Sequence, residues 1–318
     1  MPVNRDKVDQ WKFDVESSVD FYNNWFMNFA PNAFRETRIK TTKSVEQALY
    51  LTENLTDIRP ETLKSYPSVL SMLRMATCPP IARDRLIGLA GVSPNLVRVM
   101  EIQNRIPAFM PPHDLRTQLT MIGEIIEKMA DPDIFVWKAR GDKGTPEEVY
   151  RASTIVADRL CGAISDPIIR NAQEQRQLAA IKSWLDARGY RQLEDGEVGS
   201  WRDMPNGTYS FRFNIPVNHG LRVINMPIDA VISPMYPSID GNPILFEAKS
   251  AGDFTNTNKR RKEEAMKVYQ LRNTYGRNVT LNLFLCGYFD SGYLGYEAAE
   301  GIDWVWEHRI DDLSGFGL

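Results

Sequence analysis

The spacing of apolar positions divides the chain into a helical first half and a mixed second half. Up to about residue 165, apolar residues recur at three- and four-residue intervals, as in Leu115–Met129, and prolines interrupt the helices. A further helix is predicted to begin at Asp166-Pro167 and to end before Gly189. The remaining predicted elements are strands at 208–213, 221–233 and 243–249, a helix at 258–275 and a strand at 279–287. This order predicts an α/β (α+β) fold with a central mixed sheet flanked by helices.

The change of pattern predicts two domains, a helical region at residues 1–160 and a mixed α/β domain at residues 161–318. The composition, 43% hydrophobic and 25% charged, is that of an ordinary globular protein. No apolar stretch reaches the length of a membrane span, and the first residues are too polar for a secretory signal. Three cysteines lie far apart in sequence, which indicates neither a disulfide framework nor a metal site and fits a reducing cytoplasm.

The net charge of -3 does not by itself indicate a nucleic-acid-binding protein. Any phosphate-binding surface must therefore come from a local concentration of Lys and Arg. The three histidines are isolated, so a zinc site or a Ser-His-Asp triad has little support.

Two acidic residues and a lysine lie on neighbouring predicted strands of the second half. Pro227-Ile228-Asp229 precedes Phe246-Glu247-Ala248-Lys249 across a short hairpin. Because side chains alternate along a strand, Glu247 and Lys249 share one face, and an antiparallel partner would place Asp229 beside Glu247. Two adjacent carboxylates repel each other unless a cation lies between them, and Mg²⁺ prefers such hard oxygen ligands. The pattern predicts a Mg²⁺ site, with Lys249 positioning or activating the attacking water and neutralising charge on a phosphate.

The same residues have a less specific interpretation, because an Asp and an E-x-K tripeptide also occur on the solvated side of half-buried sheets. Here the tripeptide follows a hydrophobic strand and a P-x-D hairpin and precedes a basic helix, a combination that favours a nuclease.

Glu174 is a third candidate acid. It continues the apolar stripe of Leu178, Ile181 and Leu185 by one helical turn, so we expect a carboxylate on the core-facing side. A carboxylate there needs a partner. Two hypotheses remain open, a salt bridge to Arg170 or Lys249 and a contribution to the metal site.

A polar loop and a basic helix start follow Lys249. Cations at the start of a helix oppose its dipole, so phosphate contact explains them better than helix stability does. A solvated charged face remains an alternative for Lys262 and Lys267, which lie near Glu263 and Glu264. The candidate DNA-binding residues of this segment are Asn256, Asn258, Lys259, Arg260 and Arg261.

Residues 81–104 have the pattern of a helix-turn-helix. Gly91 suits the turn, Ser93 would cap the second helix and Pro94 would begin it. Asn95 and Arg98 would then lie on the outer face, where they could contact bases. The alternative is an ordinary helical hairpin whose apolar residues are simply core, and loop 250–258 is a competing place for specificity contacts.

Residues from about 165 to 290 resemble type II restriction endonucleases of the PD-(D/E)XK superfamily, specifically the XamI-like group. The first half resembles that group more loosely. The residues that carry the resemblance are Arg170, Asn171, Glu174 and Gln177 on a helix, Pro227-Ile228-Asp229, the segment Phe246–Asp253 and the segment Asn256–Lys262.

This resemblance implies a PD-(D/E)XK restriction-endonuclease-like core that cleaves both strands of duplex DNA at a short, palindromic sequence. It implies Mg²⁺ as the cofactor, with Mn²⁺ able to substitute. Ile228 departs from the superfamily pattern by separating Pro227 from Asp229, but the proline is not a ligand. The catalytic residues are then Asp229, Glu247, Lys249 and Glu174, with Ala248 joining the three acids as a metal ligand.

Cutting both strands of a palindrome is most simply done by a two-fold dimer, so we expect a homodimer. A cognate DNA methyltransferase is expected in the same system, without a stable complex. Two other functions remain open, a repair or recombination nuclease on the same core and a non-catalytic DNA-binding regulator that uses residues 81–104. Discrete DNA fragments would separate the first from a restriction enzyme, and absence of Mg²⁺-dependent cleavage would favour the second.

Overall fold

The computed structural model describes residues 2–236, 241–255 and 257–318, with side chains throughout except at 257–260. The chain forms two compact units. One unit joins the residues before Ala30 to Arg170–Leu318, and the other is Ala30–Ile169. None of the described helices is long and apolar enough to cross a membrane.

The helices of the described residues are α1 (Val8–Leu51), α2 (Pro60–Ser65), α3 (Val69–Met75), α4 (Arg83–Ala90), α5 (Pro94–Gln103), α6 (Pro112–Met129), α7 (Val136–Arg140), α8 (Pro146–Asp186), α9 (Thr257–Tyr275) and α10 (Ser291–Ala299). Short 3-10 helices occur at Trp201–Asp203 and Glu307–Phe316. The strands are β1 (Arg191–Gln192), β2 (Thr208–His219), β3 (Arg222–Ser233), β4 (Ile244–Ala251), β5 (Leu281–Gly287) and β6 (Trp304–Trp306).

The strands form one mixed sheet in the order β1-β2-β3-β4-β5-β6. β2, β3 and β4 are antiparallel neighbours, whereas β4, β5 and β6 run parallel, and β1 is parallel to β2. Apolar side chains from both faces are buried. Leu245 packs with Val268 and Leu271 of α9 on one face, and Phe246 packs with Ile181 of α8 on the other. The predicted α/β architecture with a central mixed sheet is therefore confirmed.

The first residues of the chain pack with the C-terminal region, although they were expected in a helical domain at residues 1–160. The Asn4 side-chain amide donates to the Trp304 carbonyl at 2.9 Å, and the Asn4 backbone amide donates to Asp303 Oδ1 at 2.9 Å. The Trp11 ring meets Trp304 edge-on, with ring centroids 5.5 Å apart. These buried contacts join segments about 300 residues apart, which local periodicity does not report.

Helix α8 runs through Asp166 and Pro167 without a break, so the predicted helix start at these residues is wrong. A proline inside a helix removes one backbone hydrogen bond and costs about 3 kcal/mol. Burial on both sides of Pro167 offsets this cost, since Cys161 before it and Ile181 after it are fully buried. The predicted end is close, with Gly189 at φ +82° three residues beyond the last helical residue.

The unit Ala30–Ile169 contains the candidate helix-turn-helix. Helices α4 and α5 are joined through Gly91, which has φ +64° as the turn requires. Ser93 lies at the N-cap of α5, but its side chain makes no capping bond, contrary to expectation. Its backbone amide donates instead to Gln118 Oε1 at 2.8 Å.

A buried carboxylate holds this helix pair together. Glu101 of α5 has a side chain only 3% exposed, and it accepts hydrogen bonds from Arg74 (3.0 Å) and Arg83 (2.9 Å). Arg74 also donates to the carbonyl of Ile81, just before α4. The position of α4 against α5 is therefore fixed by a charged network as well as by apolar packing.

Candidate active site

The two acidic residues of the predicted site lie where the pairing of β3 with β4 ends. The last paired residues are Ala230 and Phe246, and continuation of that register would place Asp229 opposite Glu247. In place of a further ladder bond, the Ala248 amide donates to Asp229 Oδ2 at 2.9 Å. The antiparallel pair thus brings both carboxyl groups to one end of the β3–β4 ladder.

Lys249 lies on the same face of β4 as Glu247, as alternation along the strand requires. Its Nζ donates to Glu247 Oε2 at 3.0 Å. The side chain of Glu247 is only 2% exposed, whereas that of Lys249 is 24% exposed. Glu247 is therefore a buried anion whose lysine partner reaches solvent.

A second lysine, Lys267 of α9, contacts the other oxygen of the same carboxylate. Its Nζ donates to Glu247 Oε1 at 2.6 Å and to the backbone carbonyl of Pro227 at 3.2 Å. Sequence reasoning considered Lys267 only as a phosphate-binding or solvated residue. The sequence did contain a signal, because Lys267 lies on the same helical stripe as Val268 and Leu271, which bury against the sheet.

The pKa values of two of these groups depart from their ordinary range. Burial raises the pKa of Asp229 to about 6, and the nearby charge of Glu247 adds to the rise. Burial tends to lower the pKa of Lys249, but Glu247 outweighs it and leaves that pKa above its usual value. At neutral pH Asp229 is therefore largely ionised and Lys249 is protonated.

Glu174 lines the same cavity but does not face the core, so that part of the prediction is wrong. Its side chain is 38% exposed, and its Oε1 accepts from Arg212 of β2 at 2.8 Å. Among the described residues, its ion-pair partner is Arg212 rather than the expected Arg170 or Lys249. After Pro167, the buried stripe of α8 begins with Gln177, whose side-chain amide donates to the carbonyls of Phe284 (3.0 Å) and Lys249 (3.3 Å).

Arg212 is in a left-handed backbone conformation, with φ +53° in the middle of a strand. Its neighbours Phe211 and Phe213 pair with Ala230 and Ile228, so Arg212 faces Asp229 in the register. A residue with a Cβ is strained in this conformation by about 1–2 kcal/mol. Such strain often occurs at functional sites. The sequence does not reveal it, because Arg is not a residue that favours positive φ.

These side chains surround an open cavity of about 320 Å³ at the end of β4. Its lining residues are Arg170, Gln173, Glu174, Gln177, Asp229, Glu247, Ala248, Lys249, Ser250 and Glu263. Asp229 and Glu247 supply the hard oxygen donors that Mg²⁺ prefers, and Mg²⁺ commonly takes only one or two carboxylates, with water and substrate phosphate as its other ligands. Within the residues that the structure describes, no three His, Cys, Asp or Glu side chains form a metal-holding group. Asp229 and Glu247 thus already supply the number of carboxylates that Mg²⁺ commonly takes.

A pair of buried carboxyl groups lies near Lys249. Glu264 of α9 is fully buried and accepts from the Tyr293 hydroxyl at 2.6 Å. Burial raises the pKa of Glu264, and burial together with Glu264 raises the pKa of Glu297 to about 9. The solvated charged face that remained an alternative for Lys262 and Lys267 does not include Glu264, which belongs to the buried stripe of α9.

The candidate DNA-binding residues are described only in part. Asn256 lies outside the described residues, as do the side chains of Asn258, Lys259 and Arg260. The Arg261 guanidinium lies over the ring of Tyr296, 3.5 Å from its centroid. In the other unit, Asn95 and Arg98 are exposed on α5, as predicted for its outer face.

A mixed sheet flanked by helices, with acidic and basic side chains beside its β3–β4 pair, is the architecture of restriction-endonuclease-like folds. The XamI restriction endonuclease family model matches residues 53–306. The type II restriction enzyme SalI of Streptomyces albus G is 53% identical over 315 residues, which cover 99% of each chain. No solved structure matches the chain.

The chain therefore belongs to the XamI restriction endonuclease family. It is a restriction endonuclease, an enzyme that cleaves DNA at specific sites. The resemblance seen in the residues of the second half is thereby confirmed, and it extends over most of the helical first half as well.

Proposed function

We propose that this chain hydrolyses both strands of duplex DNA at a short, palindromic sequence in a Mg²⁺-dependent reaction of the PD-(D/E)XK type. The observation that carries the proposal is the placement of Asp229, Glu247 and Lys249 around one open cavity. The relative SalI is a type II restriction enzyme, which supports the same reaction here. Mn²⁺ is expected to substitute for Mg²⁺, because it too accepts oxygen ligands.

Asp229, Glu247 and the backbone carbonyl of Ala248 would hold the metal ion. A bound divalent cation lowers the pKa of water and stabilises charge on the phosphate. Lys249, anchored on Glu247, orients the attacking water and balances negative charge as the phosphate reacts. Gln177 fixes the backbone of Lys249 against β5, so the lysine stem is held at its base. Glu174, paired with Arg212, contributes a third carboxylate at the cavity rim.

DNA would be bound by the segment after β4, through Asn256, Asn258, Lys259, Arg260 and Arg261, which carries the local positive charge that phosphate binding needs. Asn95 and Arg98 on α5 are the candidate base-reading residues of the region before residue 160. A homodimer would cut both strands of a palindrome, and each copy would supply one cavity. A cognate methyltransferase would protect the host DNA, and three widely separated cysteines suit a cytoplasmic enzyme.

The test is incubation of the purified protein with plasmid and phage DNA, with Mg²⁺ or with EDTA, beside Lys249→Ala and Lys128→Ala. Lys128 is an exposed lysine of α6 and serves as a matched control. Sharp bands are expected from the wild type and from Lys128→Ala with Mg²⁺, and none from Lys249→Ala or with EDTA. Sequencing of the fragment ends then gives the site and the cut position.

The outcomes separate the alternative functions. A smear in place of bands would indicate a repair or recombination nuclease on the same core. Absence of cleavage with several DNAs and divalent ions would contradict the proposed reaction and would favour a DNA-binding regulator.

A further inference from the structure

Glu247 is held by two lysines, although the acid-x-lysine pattern accounts for only one of them. Lys249 contacts Oε2 at 3.0 Å and Lys267 contacts Oε1 at 2.6 Å. The carboxylate is 2% exposed, whereas the lysine side chains are 24% and 26% exposed. Each oxygen of the buried carboxylate thus has its own ammonium partner.

Lys267 makes a second hydrogen bond, to β3, the strand that carries Asp229. Its Nζ donates to the carbonyl of Pro227, two residues before Asp229, at 3.2 Å. The ammonium therefore bridges β3 and β4 on the strands that carry the two carboxylates. Lys267 belongs to α9, whereas Lys249 belongs to β4. The second ammonium group at Glu247 therefore does not come from the E-x-K segment.

The charges of the four side chains balance without any metal ion. Asp229 and Glu247 contribute two negative charges, and Lys249 and Lys267 contribute two positive charges. Counted over these four side chains alone, the centre offers an entering divalent cation no net negative charge, and two ammonium groups a few ångströms from its ligands repel that cation. With a single lysine the same centre would carry one negative charge.

We propose that Lys267 is a positioning residue that acts as a built-in counter-ion of Glu247 and weakens the binding of divalent cations by the free protein. This inference rests on the metal site under the proposed function. Lys267 holds the buried carboxylate in place when no metal is bound, so the site keeps its geometry at the expense of metal affinity.

The test is isothermal titration of the DNA-free protein with CaCl₂ at pH 7.5. Lys267→Met and Lys267→Gln are expected to bind Ca²⁺ about tenfold more tightly than the wild type, because one positive charge near the ligands is gone. Gln keeps a donor for Glu247 or Pro227, so it serves if Met disturbs folding. Lys267→Arg keeps the charge, and Lys262→Met removes an exposed lysine from the same helix. Both should stay within about twofold of the wild-type affinity.

Unchanged or weaker Ca²⁺ binding in both neutral variants would overturn the inference, since a merely structural role for Lys267 predicts weaker binding. Thermal unfolding of each variant shows that the comparison is made on folded protein. The wild type is assayed for Mg²⁺-dependent DNA cleavage in the same experiment. If it cleaves and the neutral variants bind no tighter, the inference about Lys267 is wrong and the proposed function stands. If no divalent ion supports cleavage, the metal site itself is wrong and the inference falls with it.

Discussion

Two buried carboxylates in this protein each have two cationic partners, but the kind of partner and the surroundings differ. Glu101 is surrounded by two arginines, and its side chain is 3% exposed. Glu247 is surrounded by two lysines at the edge of an open cavity. Arginine presents a rigid fork that closes a network, whereas lysine is a point charge that leaves other sides of the carboxylate free. The number of ion pairs therefore does not separate a structural centre from a functional one.

The groups that surround each carboxylate distinguish the structural centre at Glu101 from the candidate functional centre at Glu247. Near Glu247 a second carboxyl group, Asp229, has its pKa raised to about 6, first by burial and then by the charge of Glu247. Like charges are brought together there in spite of the repulsion, as a cation-binding site requires. The contacts of Glu101 are all attractive. Four experiments test this contrast, in order of the size of the expected effect.

Glu247→Gln should reduce the rate of DNA cleavage by about 10³-fold, because it removes a proposed metal ligand and the anchor of Lys249. The unfolding free energy should fall by less than about 2 kcal/mol, since both lysine side chains are about a quarter exposed and can be hydrated. Single-turnover cleavage and urea unfolding measure the two effects. A variant that cleaves at more than a tenth of the wild-type rate would remove Glu247 from the proposed site.

Glu101→Gln should have the opposite profile. It leaves Arg74, 10% exposed, without its buried counter-charge and should lower the unfolding free energy by about 3 kcal/mol. Urea unfolding followed by circular dichroism gives this value, and cleavage is assayed well below the unfolding transition. Loss of less than 1 kcal/mol would mean that the arginine network does not hold α4 against α5.

Asp229→Asn should abolish Mg²⁺-dependent cleavage and yet stabilise the protein at pH 7 by about 1–2 kcal/mol. The folded-state pKa, about 6, lies above the ordinary value of 3.8 for an Asp side chain, so the folded protein binds more protons between these pH values. The unfolding free energy of the wild type therefore falls as pH rises through this window. The advantage of the Asn variant should disappear at pH 4, which thermal unfolding at several pH values would show. An equal gain at pH 4 and pH 7 would contradict the pKa assignment.

Arg212→Gly and Arg212→Ala compare strain with charge at the rim of the cavity. Both lose the exposed pair with Glu174, worth about 0–1 kcal/mol, but only glycine accepts φ +53° without strain. The Gly variant should be about 1 kcal/mol more stable than the Ala variant in urea unfolding. Equal stabilities would show that the backbone at this position relaxes.

The sequence predicted the parts of the site that depend on local alternation. Glu247 and Lys249 share a face because they are two residues apart on a strand, and Asp229 joins them through an antiparallel neighbour. The bounds of β3 were close, since it begins one residue later than predicted and ends at Ser233, whereas β2 runs six residues beyond its predicted end at Phe213. The metal-ligand and catalytic roles of these residues stay predictions.

The features that the sequence did not predict depend on long-range contacts. Lys267 reaches Glu247 from α9, and Arg212 reaches Glu174 from β2, so neither partner could be found by spacing along one element. The continuous α8 arose because tertiary burial outweighed the local signal of Asp166-Pro167. Glu174 was predicted to face the core because the buried stripe of Leu178, Ile181 and Leu185 was extended back by one helical turn. The side chain is in fact 38% exposed.

The contacts of the first residues bear on how this enzyme is made. Asn4 contacts Asp303, Trp304, Arg309 and Asp312, so the N-terminal segment cannot dock until the chain beyond residue 303 has been synthesised. Because the ribosome delivers the chain from its N-terminus, the unit that contains the candidate active site cannot be completed until the last strand, β6, has emerged. A chain whose synthesis stops before residue 303 therefore lacks the contacts that Asn4 makes with Asp303 and Trp304.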